Sequence, residues 1–279
     1  MAKISIPSRT LNDGREMPWL GLGTWPVQGR RSTDSILAAI EMGYRLIDTA
    51  SNYGNEDAVG AAIRESGLLR EDFFVTTKLA GRFQGKPYVR EGFSASLERL
   101  GLDYVDLYLI HWPLPRLGRY VESYVEMVAL QQEGLIRSVG VSNFLDDHIA
   151  AIVAATGVRP AVDQIQVSPS HAQVDVADAV SRDGTVVQAW RPLERNSGIL
   201  ENPAVTGVAD RIGVTPSQVV LRWLIERDIT TVPHSTNPDR QRLNADIFGF
   251  SLEPADVAAI TALDVGAPVK QDPKTWEEF

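Results

Sequence analysis

The chain has 279 residues, 44% of them hydrophobic and 23% charged, with a formal net charge of −9 and no cysteine. This balance is ordinary for a globular protein with a large core, and the acidic excess argues against nucleic acid or an anionic membrane as partner. Without cysteine, disulfides, thiolate metal sites, iron–sulfur clusters and cysteine nucleophiles are excluded.

Residues 1–10 carry no apolar stretch of signal-peptide length, and no later apolar run reaches membrane-spanning length, so a cytoplasmic protein is expected. In chain order, residues 4–6 and 16–19 flank Asn12-Asp13-Gly14, which reads as a hairpin turn. Short apolar, β-rich runs follow at 20–24, 45–49, 73–78, 105–111, 138–142, 162–167, 186–190 and 230–233. Helical patterns alternate with them at 32–42, 56–65, 89–100, 121–133, 145–155, 176–181, 203–212 and 215–227. In the last of these Thr215 reads as the N-cap and Pro216 as the first helical residue.

Alternation of this kind favours parallel βαβ units, and eight of them closing on themselves make a barrel; an open doubly wound sheet is the competitor. No linker or low-complexity block divides the chain. The expected fold is α/β, a single (β/α)8 TIM barrel over residues 1–279 with an N-terminal β-hairpin. Residues 264–279, with Pro268, Pro273 and Trp276, show no period and read as a tail over the surface.

In a parallel barrel the C-terminal strand ends share one face, and that face hosts the active site. Asp48 follows Arg45-Leu46-Ile47, Tyr53 lies in the ensuing loop, Lys78 ends its run, and His111 ends Leu107-Tyr108-Leu109-Ile110. Taken singly, Asp48 could cap a helix, Lys78 could reach solvent and His111 could satisfy a backbone carbonyl. Their joint placement on successive strand ends points instead to proton donation onto a developing alkoxide. Free tyrosine, with a pKa near 10, is a weak acid at neutral pH; an adjacent lysine cation is expected to lower that value and a buried aspartate to hold the lysine. A histidine nitrogen then positions the carbonyl oxygen. None of these groups supplies a hydride, so a cofactor must.

The stretch Gly43-Tyr44-Arg45-Leu46-Ile47-Asp48-Thr49-Ala50 with Tyr53-Gly54-Asn55-Glu56 resembles the most diagnostic signature of the aldo-keto reductase superfamily. Thr77-Lys78-Leu79, Leu109-Ile110-His111-Trp112-Pro113 and Gly140-Val141-Ser142-Asn143-Phe144 match further blocks in order. The resemblance runs to about Leu263 and is greatest to short bacterial members, among them the 2,5-diketo-gluconate reductases. It implies a catalytic tetrad at Asp48, Tyr53, Lys78 and His111, NADPH or NADP bound without a Rossmann domain, no metal, and a small carbonyl substrate handled by a monomer. Gly21-Leu22-Gly23 and the segment 81–86 are too incomplete for a dinucleotide or phosphate loop.

By the same resemblance, Ser142, Asn143 and Gln164 hold the nicotinamide carboxamide, and Trp190 stacks under the ring, although an aromatic there also suits barrel core. Arg191, Pro192 and Leu193 follow along the cofactor. His234, Ser235, Arg240 and Asn244 meet its adenosine end, where Arg240 suits a 2′-phosphate; its bland reading is a solvated charge at a helix start. Trp25 and Trp112 are expected to wall the substrate pocket. His234 replaces a common lysine and Leu243 a common glutamate, which weakens the preference for NADPH over NADH and leaves room for NADH, with NADPH still favoured. Ala80 replaces a frequent tryptophan, which predicts a wider mouth. Arg191 stands where a small residue is common, reaching the phosphates or pointing outward. Asp163 replaces a common asparagine for no reason visible in the sequence. The alternative to a reductase is a nicotinamide-binding sensor with little turnover; a third reading makes Lys78 a Schiff-base nucleophile.

Overall fold

A computed structural model describes residues 3–194, 197–266, 269 and 271–278, so Pro268 lies outside the described residues. The chain opens with β1 (Ser8–Thr10) and β2 (Glu16–Pro18), paired antiparallel with Arg9 opposite Met17. The hairpin is present, but its first arm is not at residues 4–6. Leu11 N–H donates to Arg15 O, closing the turn over Gly14 at φ +83°, and an arm symmetric about that turn must be Ser8–Thr10. Ile4 N–H instead bonds to Met42 O.

Eight parallel strands follow: β3 (Leu22–Gly23), β4 (Leu46–Asp48), β5 (Phe74–Leu79), β6 (Val105–Ile110), β7 (Ile136–Ser142), β8 (Val162–Gln166), β9 (Val186–Trp190) and β10 (Thr230–Thr231). Each pairs with its sequence neighbour, in the order β3 to β10. Closure comes from the chain just before and within β3. Gly21 N–H donates to Thr231 O (2.9 Å), Thr231 N–H to Trp19 O (3.0 Å) and Gly23 N–H to Pro233 O (3.2 Å). The sheet therefore curls round into the (β/α)8 arrangement expected.

The outer layer is α1 (Gly29–Met42), α2 (Glu56–Glu65), α3 (Tyr88–Leu100), α4 (Tyr120–Gln132), α5 (Asp146–Thr156), α6 (Val174–Ser181), α7 (Pro203–Ile212), α8 (Pro216–Glu226), α9 (Pro238–Ala245) and α10 (Pro254–Thr261). Thr215 caps α8 reciprocally: its hydroxyl accepts from Gln218 N–H, and Gln218 Oε1 accepts from Thr215 N–H. The helices α9 and α10 have no counterpart among the predicted elements. Both are eight residues long and begin at a proline, and so short a helix carries little of the apolar period that marks the others.

Strand alternation divides the interior in two. Leu46, Phe74, Leu107, Leu109, Val162 and Val186 fill the barrel, with Leu11 and Met17 of the hairpin packed into the same cluster. Outward-facing Ile47, Val75, Tyr108, Val139 and Val187 meet the helices. Among the described residues no helix is long and apolar enough to cross a membrane.

Candidate active site

The strands' C-terminal ends open into a cavity of about 720 Å³, lined in part by Asp48, Tyr53, His111, Asn143 and Trp190. Asp48 is the last residue of β4 and Lys78 the last but one of β5. Between them the chain makes a 3-10 turn, Ser51–Tyr53, that ends at Gly54 in the left-handed region. Asn55 pins this loop: it accepts from Thr49 Oγ1 at 2.7 Å and donates to Thr24 O at 3.1 Å and Val27 O at 2.8 Å. Gln28 Nε2 reaches Tyr53 O at 2.9 Å, and Ser51 Oγ reaches Lys78 O at 2.9 Å. The loop is thus tied to the strand that bears the lysine.

Lys78 is wholly buried, and its three donor directions are all occupied. Its Nζ lies 2.7 and 2.9 Å from the two Asp48 oxygens, 2.9 Å from Thr49 O and 3.4 Å from the Tyr53 hydroxyl. Burial pulls the ammonium's pKa down, but Asp48 and Tyr53 more than reverse this and leave it above the ordinary lysine value. Burial pushes the Tyr53 phenol up; Lys78 pulls it down without winning, while Asp48 and Glu278 add to the rise. This corrects the expected direction. Lys78 shares its charge with Asp48, so what reaches the phenol does not offset desolvation. A lysine held as ammonium in an ion pair is also no free amine, which argues against the Schiff-base reading.

His111 follows β6, its ring edge-on to Tyr53 with centroids 5.8 Å apart. Its carbonyl accepts from Asn143 Nδ2 at 3.1 Å. Asn143 sits at φ +61° after β7 and accepts at Oδ1 from Trp190 Nε1 at 2.9 Å. Ser142 Oγ donates to Gln164 O at 2.7 Å, while Gln164 Nε2 bonds Asp48 Oδ2 at 2.9 Å and Gln188 Oε1 at 2.7 Å. The amide-bearing residues and the four titratable ones therefore form one connected network.

Arg191, Pro192, Leu193, His234, Trp25 and Trp112 also line the cavity. Arg191 is exposed at φ +57°. Ser235 and Asn244 are buried and Arg240 is exposed on α9, and none of the three reaches the cavity wall. The mouth is not widened at Ala80 as expected: that residue is buried, and the C-terminal tail closes over the adjacent Gly81, whose N–H donates to Glu278 Oε2.

Residues that sequence reasoning passed over include Asn52, Gln188, Glu194 and Glu278. Asn52 adjoins Tyr53 and could have been found by proximity; Glu278 sits in an aperiodic tail that carries no signal. Trp276 of the same tail packs on Trp112 with ring centroids 5.8 Å apart.

A parallel eight-stranded barrel with this cluster at its C-terminal mouth is the architecture of an oxidoreductase that needs a bound hydride donor. The profile described as Aldo/keto reductase family matches residues 19–265. An aldo-keto reductase of Mycobacterium avium is 44% identical over 98% of this chain and 95% of its own. The 2,5-diketo-D-gluconic acid reductase B of a Corynebacterium species is 42% identical over 99% of both chains. A Bombyx mori aldo-keto reductase solved in complex with NADP superposes with a TM-score of 0.90 at 33% identity over 99% of both. The chain belongs to the aldo/keto reductase family.

Proposed function

We propose that this protein reduces an aldehyde or ketone to the alcohol with NADPH, Tyr53 giving the proton. The observation that carries the reading is the buried Lys78 ammonium, within 3.4 Å of the Tyr53 hydroxyl and locked to Asp48. The chemistry of the donor set fits the cofactor. A carboxamide both donates and accepts, and Ser142, Asn143 and Gln164 offer hydroxyl and amide groups beside the indole of Trp190. Relatives of this chain have been solved with NADP and NADPH. When bound, NADPH supplies the hydride.

The chain's own residues handle the oxygen and the proton. A carbonyl entering past Trp25 and Trp112 meets Tyr53 and His111 together, so its oxygen is held by two groups and its reacting carbon is fixed. As negative charge grows on that oxygen, the Tyr53 proton moves onto it. A phenol above its usual pKa is still far more acidic than an alcohol, so this transfer runs downhill. Lys78 stabilises the phenolate left behind, and Asp48 keeps the ammonium aimed. Trp190, tied to Asn143, forms a rigid wall for the nicotinamide. Ser235, Arg240 and Asn244 take the adenosine end, Arg240 meeting the 2′-phosphate.

Purified protein mixed with NADPH and a panel of aldehydes should oxidise the cofactor. Tyr53→Phe keeps the ring but removes the proton, and turnover should fall by about 10²- to 10⁴-fold. Tight NADPH binding with no turnover of any carbonyl would sink the reading.

A further inference from the structure

The tail carboxylate of Glu278 is built into the substrate end of the cavity. Its side chain is only 8% exposed. Oε1 lies 2.6 Å from His111 Nδ1, too oblique for a directed hydrogen bond, and accepts from Asn52 Nδ2 at 2.7 Å. Oε2 accepts from Gly81 N–H. Trp276, two residues earlier, packs against Trp112, so the segment is also held just before the carboxylate. The residues that grip it come from three different strand-end loops, Gly81 lying 197 residues away and Asn52 226.

The charges around it are unevenly placed. Among the described residues, the main cavity is lined by Asp48, Arg191, Glu194 and Glu278, beside His111 and His234. Asp48 is neutralised by Lys78. Arg191 and Glu194 belong to the segment after β9, one cation and one anion, and the Glu194 carboxylate is turned to Ser170, accepting from its N–H at 3.0 Å and its hydroxyl at 3.1 Å. Arg82, whose guanidinium donates to Asn52 Oδ1 at 2.6 Å, faces a separate smaller cavity and does not line the main one. Glu278 lines both. A molecule held between Trp25, Trp112, Tyr53 and His111 therefore faces indole rings and the Glu278 carboxylate, which lies directly against His111.

We infer that Glu278 is a specificity-determining residue that admits neutral carbonyl compounds and turns away those bearing a carboxylate near the carbonyl. The inference rests on the reductase reading for its substrate class. Two like charges several ångströms apart in a mouth walled by protein repel enough to change relative binding by about tenfold. A Corynebacterium relative is named for a keto acid, 2,5-diketo-D-gluconic acid.

The test compares 4-formylbenzoate with its methyl ester, which share one aldehyde and one ring and differ in charge. Binding of each to the full-length protein is read by tryptophan fluorescence with NADP present, and turnover by NADPH consumption. The ester should bind and react better than the carboxylate by about tenfold or more. Glu278→Gln keeps the shape and one acceptor oxygen for Gly81 N–H while removing the charge, and should shrink that ratio toward one; Glu278→Lys should invert it. Ratios equal in all three proteins would overturn the inference, whatever the absolute rates. Because binding needs no turnover, a protein that discriminates in binding yet never consumes NADPH would uphold the charge filter and overturn the reductase reading.

Discussion

The ammonium of Lys78 lies 2.7 Å from Asp48 Oδ1, and the two side chains are 0% and 4% exposed. Neither charge has water to fall back on. Lys78→Met would strand the Asp48 carboxylate in the barrel with Gln164 Nε2 as its remaining donor, and breaking a buried pair in this way costs about 3–5 kcal/mol. The double variant Lys78→Met/Asp48→Asn removes both charges, and should recover much of that loss while remaining inactive. Urea denaturation of the three proteins measures the coupling. A Lys78→Met single variant as stable as the parent would show that the pair contributes little to folding.

The Tyr53 phenol, pushed above its usual pKa by burial, stays protonated through the whole neutral range. Below its pKa the acid is loaded, so carbonyl reduction should show no loss from this group between about pH 6 and 9. Alcohol oxidation needs the phenolate, and should climb toward alkaline pH over the same interval. Profiles of kcat/KM in both directions test this. A reduction rate that falls with a midpoint near pH 7 would assign the proton to another group.

The eightfold alternation was legible because parallel strands buried on both faces read as short apolar runs, and each of the eight overlaps its observed strand. The reactive residues were legible for a related reason: a polar side chain closing such a run, as Asp48 and His111 do, must lie at the barrel's mouth. What escaped depends on long-range packing. Glu278 meets Asn52 across 226 residues, and no local pattern marks either. The direction of the Tyr53 shift depends on how completely the ring is buried and on how Lys78 divides its charge, which spacing does not encode. At Ala80 the loss of a large ring implied an opening, but the residue is buried and the tail bonds to the adjacent Gly81.

The adenosine end offers a test that separates charge from shape. Arg240 is exposed in the first turn of α9, its backbone N–H tied to Asn237 Oδ1 at 3.2 Å. With Arg240 on the 2′-phosphate, Arg240→Ala should weaken NADPH binding by tenfold or more and leave NADH nearly unchanged. His234→Lys should act in the opposite sense, raising the preference for NADPH by adding a cation beside the same phosphate. Fluorescence titration of both cofactors gives the two ratios. Equal losses for NADPH and NADH in Arg240→Ala would place the 2′-phosphate elsewhere.

Asp163 explains itself only in three dimensions. It lies in β8 next to Gln164, fully buried, with Oδ1 accepting a long 3.4 Å bond from Phe144 N–H and Oδ2 without a hydrogen-bond partner. Burial lifts its pKa well above the ordinary carboxylate value, and the Phe144 bond only partly offsets this. In the unfolded chain the same group ionises near pH 3.9. Below that value both states hold the proton and the residue is neutral to stability. As pH rises between the unfolded and folded pKa values, the unfolded chain gives up its proton while the native state keeps it, so folding loses up to about 1.4 kcal/mol per pH unit. Asp163→Asn has nearly the same shape, keeps the bond from Phe144 and cannot ionise. Its melting temperature should match the parent's at pH 4 and exceed it by a margin that widens toward pH 7. A margin that stays constant across that range would mean the carboxyl is ionised in the folded protein and held there by a partner.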